Sequence, residues 1–220
     1  METSFLNGRI RIINCDCMEY MSSLKENEFD FILTDVPYGK GNGKVSAFGK
    51  KKIKIKKKKN WDLTRPDKKY FDEMQRVSKN QIIFGYNYFA DIIPITNALI
   101  SWDKIGHYNF TNPFSDFELA WTSTNKQAKK YTVIQQGFIS EERDYFHPVQ
   151  KPVKLFGKII NDYCNDITSI LDPFAGSCVT AIACILTNKT CVCCEKDKKM
   201  FDLSVNRIKT FLEQKDLFLN

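Results

Sequence analysis

The sequence predicts an α/β fold built on a doubly wound, mostly parallel sheet with helices on both faces. Seven short apolar runs alternate with segments whose apolar residues recur at helical spacing. Two of the runs end in an acidic residue and then a Pro, at Asp35-Val36-Pro37 and Asp172-Pro173, as expected where a buried strand stops at a loop. The 220 residues, 43% hydrophobic and 13% aromatic, suffice for one such core with little left for a second.

Arg9 to Asn14 carries Ile10, Ile12 and Ile13 and leads into Cys15-Asp16-Cys17, after which Met18, Met21 and Leu24 repeat at helical spacing. This reads as strand, Asp-bearing turn and short helix. Phe29 to Thr34 is a compact apolar run, which places Asp35 at the carboxyl end of a strand buried on both faces. From Lys40 to Asn60 the chain turns to Gly, Ser and Lys, with eight lysines between Lys50 and Lys59. Such a composition cannot pack into a core and predicts a mobile loop.

A helix is expected from about Pro66 to Val77, a strand at Gln81 to Phe84 and a short helix near Tyr88 to Ile92. Strands follow near Leu99 to Trp102 and Phe117 to Thr122. Between Asn125 and Phe146 basic and aromatic residues interleave without a period (Lys126, Lys129, Lys130, Tyr131, Phe138, Arg143, Tyr145), which predicts a projecting stretch and a candidate recognition element. The last third predicts a helix at about Val153 to Cys164, a strand at Ser169 to Leu171, a helix from Ser177 to Leu186, a strand at Thr190 to Cys194 and a closing helix from Lys198 to Leu212.

The formal charge of +7, from 33 Lys and Arg against 26 Asp and Glu, is moderate, and its concentration in one segment matters more than its sum. No apolar run has the length of a bilayer span, and Met1 to Asn7 lacks the basic-then-apolar order of a secretory signal. A cytoplasmic protein with no membrane partner is expected. Six of the eight cysteines fall in or beside apolar runs, which favours buried thiols over a disulfide framework. Cys15 and Cys17 could approach Cys191, Cys193 and Cys194 if the first and last strands are neighbours, but neither group has zinc-site spacing, so no metal is expected. With only His107 and His147, a His-based hydrolytic centre has little support.

Alone, Asp35 in an Asp-x-Pro sequence is first of all a turn former. In Asp172-Pro173-Phe174-Ala175-Gly176-Ser177 a small residue lets the backbone approach a ligand at a helix N-terminus. Glu195 follows a strand, where an acid can accept hydrogen bonds from ribose hydroxyls.

Taken together, Thr34-Asp35-Val36-Pro37-Tyr38-Gly39, then His147-Pro148-Val149-Gln150-Lys151-Pro152, then Leu171 to Ser177 resemble the amino-methyltransferases of DNA. The catalytic motif precedes the cofactor motif, as in the β-class permutation, and the resemblance runs from Ile13 to Ile208. Trp61-Asp62, Arg76 to Lys79, Ile83 to Phe89, Ile100 to Lys104 and Glu118 to Thr122 are similar to signature runs of small phage-type adenine methylases.

The resemblance implies a Rossmann-like, S-adenosylmethionine-dependent methyltransferase with a seven-stranded sheet, one domain over residues 1–220 with insertions at 40–60 and 125–146. It implies direct methyl transfer to the exocyclic N6 amine of an adenine flipped out of DNA, with no covalent enzyme intermediate. Asp35 and the carbonyl of Val36 would accept the amine's hydrogen bonds, Pro37 would stiffen the turn, and Tyr38 would stack on the base. Asp35 also implies adenine, since members with Ser there usually methylate cytosine. Asp16 would meet the cofactor's adenine, Glu195 its ribose and Lys151 its carboxylate, while Asp172, Pro173, Phe174, Gly176 and Ser177 would hold its methionine end. Val36 and Cys178 depart from the family's Pro and Gly.

Lys50, Lys52, Lys54 and Lys57 in the loop, with Lys129, Lys130 and Arg143 in the recognition stretch, are expected to meet DNA. Cytosine-N4 methylation, an RNA substrate and an inactive nucleic-acid-binding relative remain alternatives. A cognate restriction endonuclease and the choice between monomer and homodimer stay open.

Overall fold

The computed structural model describes residues 1–39, 65–108, 115–136, 139–140, 150–164 and 169–217. Lys50, Lys52, Lys54, Lys57, Trp61, Asp62, Arg143 and the His147-Pro148-Val149 run lie outside the described residues.

The chain opens with β1 (Glu2–Phe5), β2 (Ile10–Ile13), α1 (Cys17–Ser22) and β3 (Phe29–Asp35). It continues with α2 (Lys68–Val77), β4 (Ser78–Phe84), β5 (Leu99–Asp103), β6 (Phe117–Thr122) and β7 (Lys129–Thr132). The short β8 (Gln135–Gln136) and β9 (Ile139–Ser140) pair with each other. Then come α3 (Val153–Tyr163), β10 (Ser169–Asp172), α4 (Val179–Leu186), β11 (Thr190–Cys194) and α5 (Lys198–Leu217).

Among the described residues the main sheet has nine strands in the order β1-β2-β11-β10-β3-β4-β6-β5-β7. The seven anticipated strands all form, and β1 and β7 extend its two edges. From β2 through β11, β10 and β3 to β4 every pairing is parallel; β6 then runs antiparallel to both β4 and β5. β1 escapes a pattern reading because its residues are exposed or half-buried, with no apolar face to mark a strand.

The stretch from Asn125 does not wholly project as expected: Lys129–Thr132 pairs in parallel with β5 from Ile100↔Lys129 to Asp103↔Thr132. A single inward ring secures it, for Tyr131 is buried and its hydroxyl donates to Asp162 Oδ2 at 2.5 Å. Near Tyr88 the anticipated helix shrinks to a 3-10 turn at Tyr86–Tyr88, entered through Gly85 at φ +89°.

Alternation along the strands sends side chains to two cores. Ile10, Ile12, Phe31, Leu33, Ile82, Phe84, Cys191 and Cys193 face α3, α4 and α5. Ile32, Ile83, Trp121, Leu171, Val192 and Cys194 face α1 and α2. The thiols of Cys191 and Cys193 therefore share one buried face, with sulfurs 3.4 Å apart. Phe84 stacks on Phe156 of α3 with centroids 5.4 Å apart, tying the central strand to its covering helix. Among the described residues no helix is long and apolar enough to cross a membrane.

One topological feature positions the site. From β3 the chain crosses to β4 on one side, whereas from β10 it crosses to β11 on the other, although β3 and β10 are neighbours. The crevice beyond their carboxyl ends is where an open α/β sheet has room for a ligand, because the loops there part in opposite directions.

Phe31 is fully buried in the central strand. Phe31→Ala is expected to destabilise the fold by about 3–5 kcal/mol, and the 54%-exposed Phe117, changed to Ser, by no more than about 0.5 kcal/mol. Urea unfolding measured side by side checks the contrast.

Candidate active site

Four adjacent parallel strands end in acids on the same edge of the sheet. In spatial order, Asp16 and Glu195 follow β2 and β11, while Asp172 and Asp35 are the last residues of β10 and β3. The fold thus gathers residues far apart in sequence, and each acid is held differently.

Asp16 caps α1, its Oδ1 accepting from the Met18 amide at 2.8 Å, and its Oδ2 accepts from Lys196 Nζ at 2.7 Å. Glu195 accepts from the amides of Gly176 (2.9 Å) and Asp197 (2.7 Å). Burial pushes its carboxyl up to about 7 against those two bonds. Asp172 is almost fully enclosed, and its oxygens accept from Thr34 Oγ1 (2.7 Å), Thr180 Oγ1 (2.5 Å) and the Phe174 amide (3.1 Å). Burial raises it to about 6. Asp172, expected among the cofactor-binding residues, has acceptors occupied by groups that order the loop.

That loop carries Pro173, Phe174, Gly176 and Ser177 between β10 and α4. Gly176 has φ +49°, and a Cβ there would meet nothing within 4 Å, so the backbone borders open space. Ser177 is buried, its carbonyl accepting from Arg207 Nη1 at 2.7 Å, and Ser204 Oγ donates to the Gly176 carbonyl at 2.7 Å. Phe174 lies against Tyr70 of α2, ring centroids 5.9 Å apart. Cys178 adopts φ +55°, the left-handed region where Gly is favoured, at a cost of about 1 kcal/mol, and its buried thiol packs in the core.

On the other side of the switch point, Asp35 Oδ1 accepts from the Tyr38 hydroxyl at 2.5 Å and Oδ2 from Lys151 Nζ at 2.6 Å. Val36 turns its side chain into the α1–α2 core, so packing supplies rigidity that a Pro ring would otherwise give. Pro37 follows, half-buried. The Tyr38 ring stacks on Tyr88, centroids 4.7 Å apart and planes 23° apart, and lies over Gly85, where a Cβ would approach the ring to 2.2 Å.

Lys151, expected near the cofactor carboxylate, stands beside Asp35. Its contacts run to Asp35, to the Tyr38 hydroxyl at 3.2 Å and to Glu118 Oε2 at 3.0 Å, so it belongs with the Asp35 group. Burial works against its ammonium, yet Asp35 and Glu118 hold it protonated well above the ordinary lysine range. Burial pushes the Asp35 carboxyl up, opposed by Lys151. Glu118 was given no role from the sequence, where its signals were a place in the Glu118 to Thr122 signature run and an acid near the start of an apolar strand.

Of the lysines expected to meet DNA, Lys129 pairs with Asp162 at 2.6 Å and Lys130 with Asp103 at 3.3 Å. Both carboxylates belong to the protein itself, and both lysine side chains remain about half or more exposed, at 48% and 67%. Seven of the eight cysteines are buried, Cys15 being half-exposed.

The same architecture occurs in solved structures. The chain aligns with M1.HpyAVI in complex with SAM at a TM-score of 0.55 and 22% identity, covering 90% of this chain and 99% of that one. It aligns with the PvuII DNA methyltransferase, described as cytosine-N4-specific, at a TM-score of 0.56 and 13% identity, covering 89% and 85%. In sequence it is 23% identical to the Type II methyltransferase M2.MboI of Moraxella bovis over 87% of this chain and 85% of the relative. Residues 86–206 match the family described as DNA methylase. The chain belongs to that family, the N6/N4 DNA methyltransferases, whose methyl donor is S-adenosylmethionine.

The residues present suit that donor: an open glycine loop at a helix start lies beside Glu195, whose carboxylate can accept from hydroxyls. Gly85→Ala is expected to displace Tyr38 and lower turnover at least tenfold, with S-adenosylmethionine affinity changed less than about twofold. Steady-state kinetics with calorimetric titration of the donor checks both.

Proposed function

We propose that this protein transfers a methyl group to the N6 amine of an adenine flipped out of DNA, with Asp35, Val36, Pro37 and Tyr38 as the reaction site. The observation that carries the reading is the placement of Asp35 at the switch point, one residue from Thr34, whose hydroxyl bonds Asp172 at the root of the glycine loop. A carboxylate is thereby held next to the place where the fold can present a methyl donor.

A base amine is a poor nucleophile because its lone pair is delocalised into the ring. Asp35 and the Val36 carbonyl, accepting from its two N–H groups, favour a tetrahedral nitrogen whose lone pair is free to attack. Bound S-adenosylmethionine supplies an electrophilic methyl carbon. As the nitrogen–carbon bond forms, the methyl carbon's bond to the donor sulfur breaks and the sulfur leaves with the electron pair as a neutral thioether, while positive charge develops on the nitrogen and Asp35 accepts the proton it sheds and passes it to solvent. Tyr38 offers its ring to the extruded base, offsetting part of the few kcal/mol that flipping costs. Asp16, Glu195 and the Pro173 to Ser177 loop hold the donor, and Asp172 positions that loop.

Asp, rather than Ser, heading the motif supports adenine over cytosine. The chain is read as a single methyltransferase domain, with DNA as its macromolecular partner.

Mass spectrometry of nucleosides from DNA of cells expressing the chain is expected to show N6-methyladenine, absent with Asp35→Ala. N4-methylcytosine instead would defeat the adenine assignment, and methylation confined to RNA would defeat DNA. Donor binding should weaken below about pH 7, where Glu195 must give up a proton before accepting from hydroxyls, and Glu195→Gln should flatten that dependence. Calorimetric titrations from about pH 6 to about pH 8 read the slope.

A further inference from the structure

Glu118 stands near the start of β6, whose antiparallel course brings it to the same end of the sheet as the carboxyl ends of β3 and β4. Its Oε2 lies 3.0 Å from Lys151 Nζ, and its Oε1 accepts from Lys104 Nζ at 3.1 Å. With the 2.6 Å pair between Lys151 and Asp35, charges of alternating sign run from Asp35 through Lys151 and Glu118 to Lys104. The shared ammonium is deeply enclosed, its side chain 6% exposed, and it lies 5.5 Å from the centres of the Tyr38 and Phe84 rings and 5.9 Å from that of Trp102.

Accepting an amine hydrogen needs Asp35 ionised, which calls for a cation nearby, and it needs acceptor capacity left over, which an undivided ion pair removes. A lysine held by Asp35 alone meets the first need and defeats the second. A second carboxylate drawing on the same ammonium relieves the conflict. Lys104, on the far oxygen, keeps that carboxylate charged: burial would raise Glu118, but Lys151 and Lys104 hold it down to about 2.

We propose that Glu118 is a positioning residue for methyl transfer: by sharing Lys151 with Asp35 it centres the ammonium between two carboxylates, leaving Asp35 ionised and still able to accept from the base amine. This rests on Asp35 being the amine's acceptor. The charged and titratable groups around Asp35 are Tyr38 beyond β3, Lys151 before α3, Glu118 of β6 and Asp172 of β10, with Lys104, beyond β5, facing Glu118.

Two substitutions then act in opposite directions on the acid limb of kcat/KM for DNA at saturating donor, where Glu195 is already engaged and the limb reports the ionisation of Asp35. Glu118→Gln removes a negative neighbour, so the limb moves to lower pH by about one unit, while kcat on the plateau falls about tenfold as Lys151 closes fully on Asp35. Lys104→Met leaves Glu118 with Lys151 as its cation, draws the ammonium from Asp35 and moves the limb to higher pH. The assay uses unmethylated genomic DNA and radiolabelled S-adenosylmethionine, with thermal unfolding and donor affinity measured on each variant. Limbs that stay in place or shift together, or a Glu118→Gln plateau equal to wild type, overturn the proposal. If Glu118→Gln does not fold, the sign of the Lys104→Met shift decides. Asp35→Asn is the separate control: full activity there defeats the reading of Asp35 itself, whatever Glu118 does.

Discussion

The bond between Thr34 and Asp172 joins two strands at the one place in the sheet where the chain's connections diverge. A carboxylate enclosed this deeply is costly unless its acceptors are filled, and here Thr34, Thr180 and the Phe174 amide fill them. Each partner belongs to a different piece of the site: the strand leading to Asp35, the first turn of α4 and the glycine loop. Successive side chains on a strand point to opposite faces, so fixing Thr34 on one side also fixes where Asp35 emerges on the other. The Asp35 half of the crevice and its glycine-loop half are thereby aligned through a single buried group.

The two halves treat their acids by different physics. Glu195, met by backbone amides in a partly buried setting, is lifted to about 7, while Glu118, more deeply buried but set between two ammonium groups, is held at about 2. Full charges outweigh amide dipoles at these distances, and the outcome suits each place. Hydroxyl recognition needs an acceptor whose charge is not already claimed by a cation. The proposed acceptor for an amine needs its ionisation defended, and Lys151 and Lys104 stand on the Asp35 side.

Departures from the family pattern at Val36 and Cys178 are absorbed locally. Val36 buries its side chain against α1 and α2, so the turn after β3 is stiffened by packing instead of by a ring. Cys178 holds a left-handed conformation that Gly would adopt freely, and burial of its thiol offsets part of that strain.

The sequence alone determined the strands and helices of both halves and the acids that close four of the strands, because burial on two faces leaves unbroken apolar runs and loops announce themselves through Pro, Gly and Asp. It mistook β7, where one inward Tyr131 among polar neighbours leaves no period to read, and it did not reveal that Lys151 pairs with Asp35. Only the tertiary structure decided such pairings. Lys151 meets Asp35 across 116 residues of sequence, and it also meets Glu118 on a strand that runs the opposite way. Local periodicity records which side of an element is buried. Which strand ends become neighbours, and therefore which charges share a cation, depends on sheet order and on the reach of long side chains.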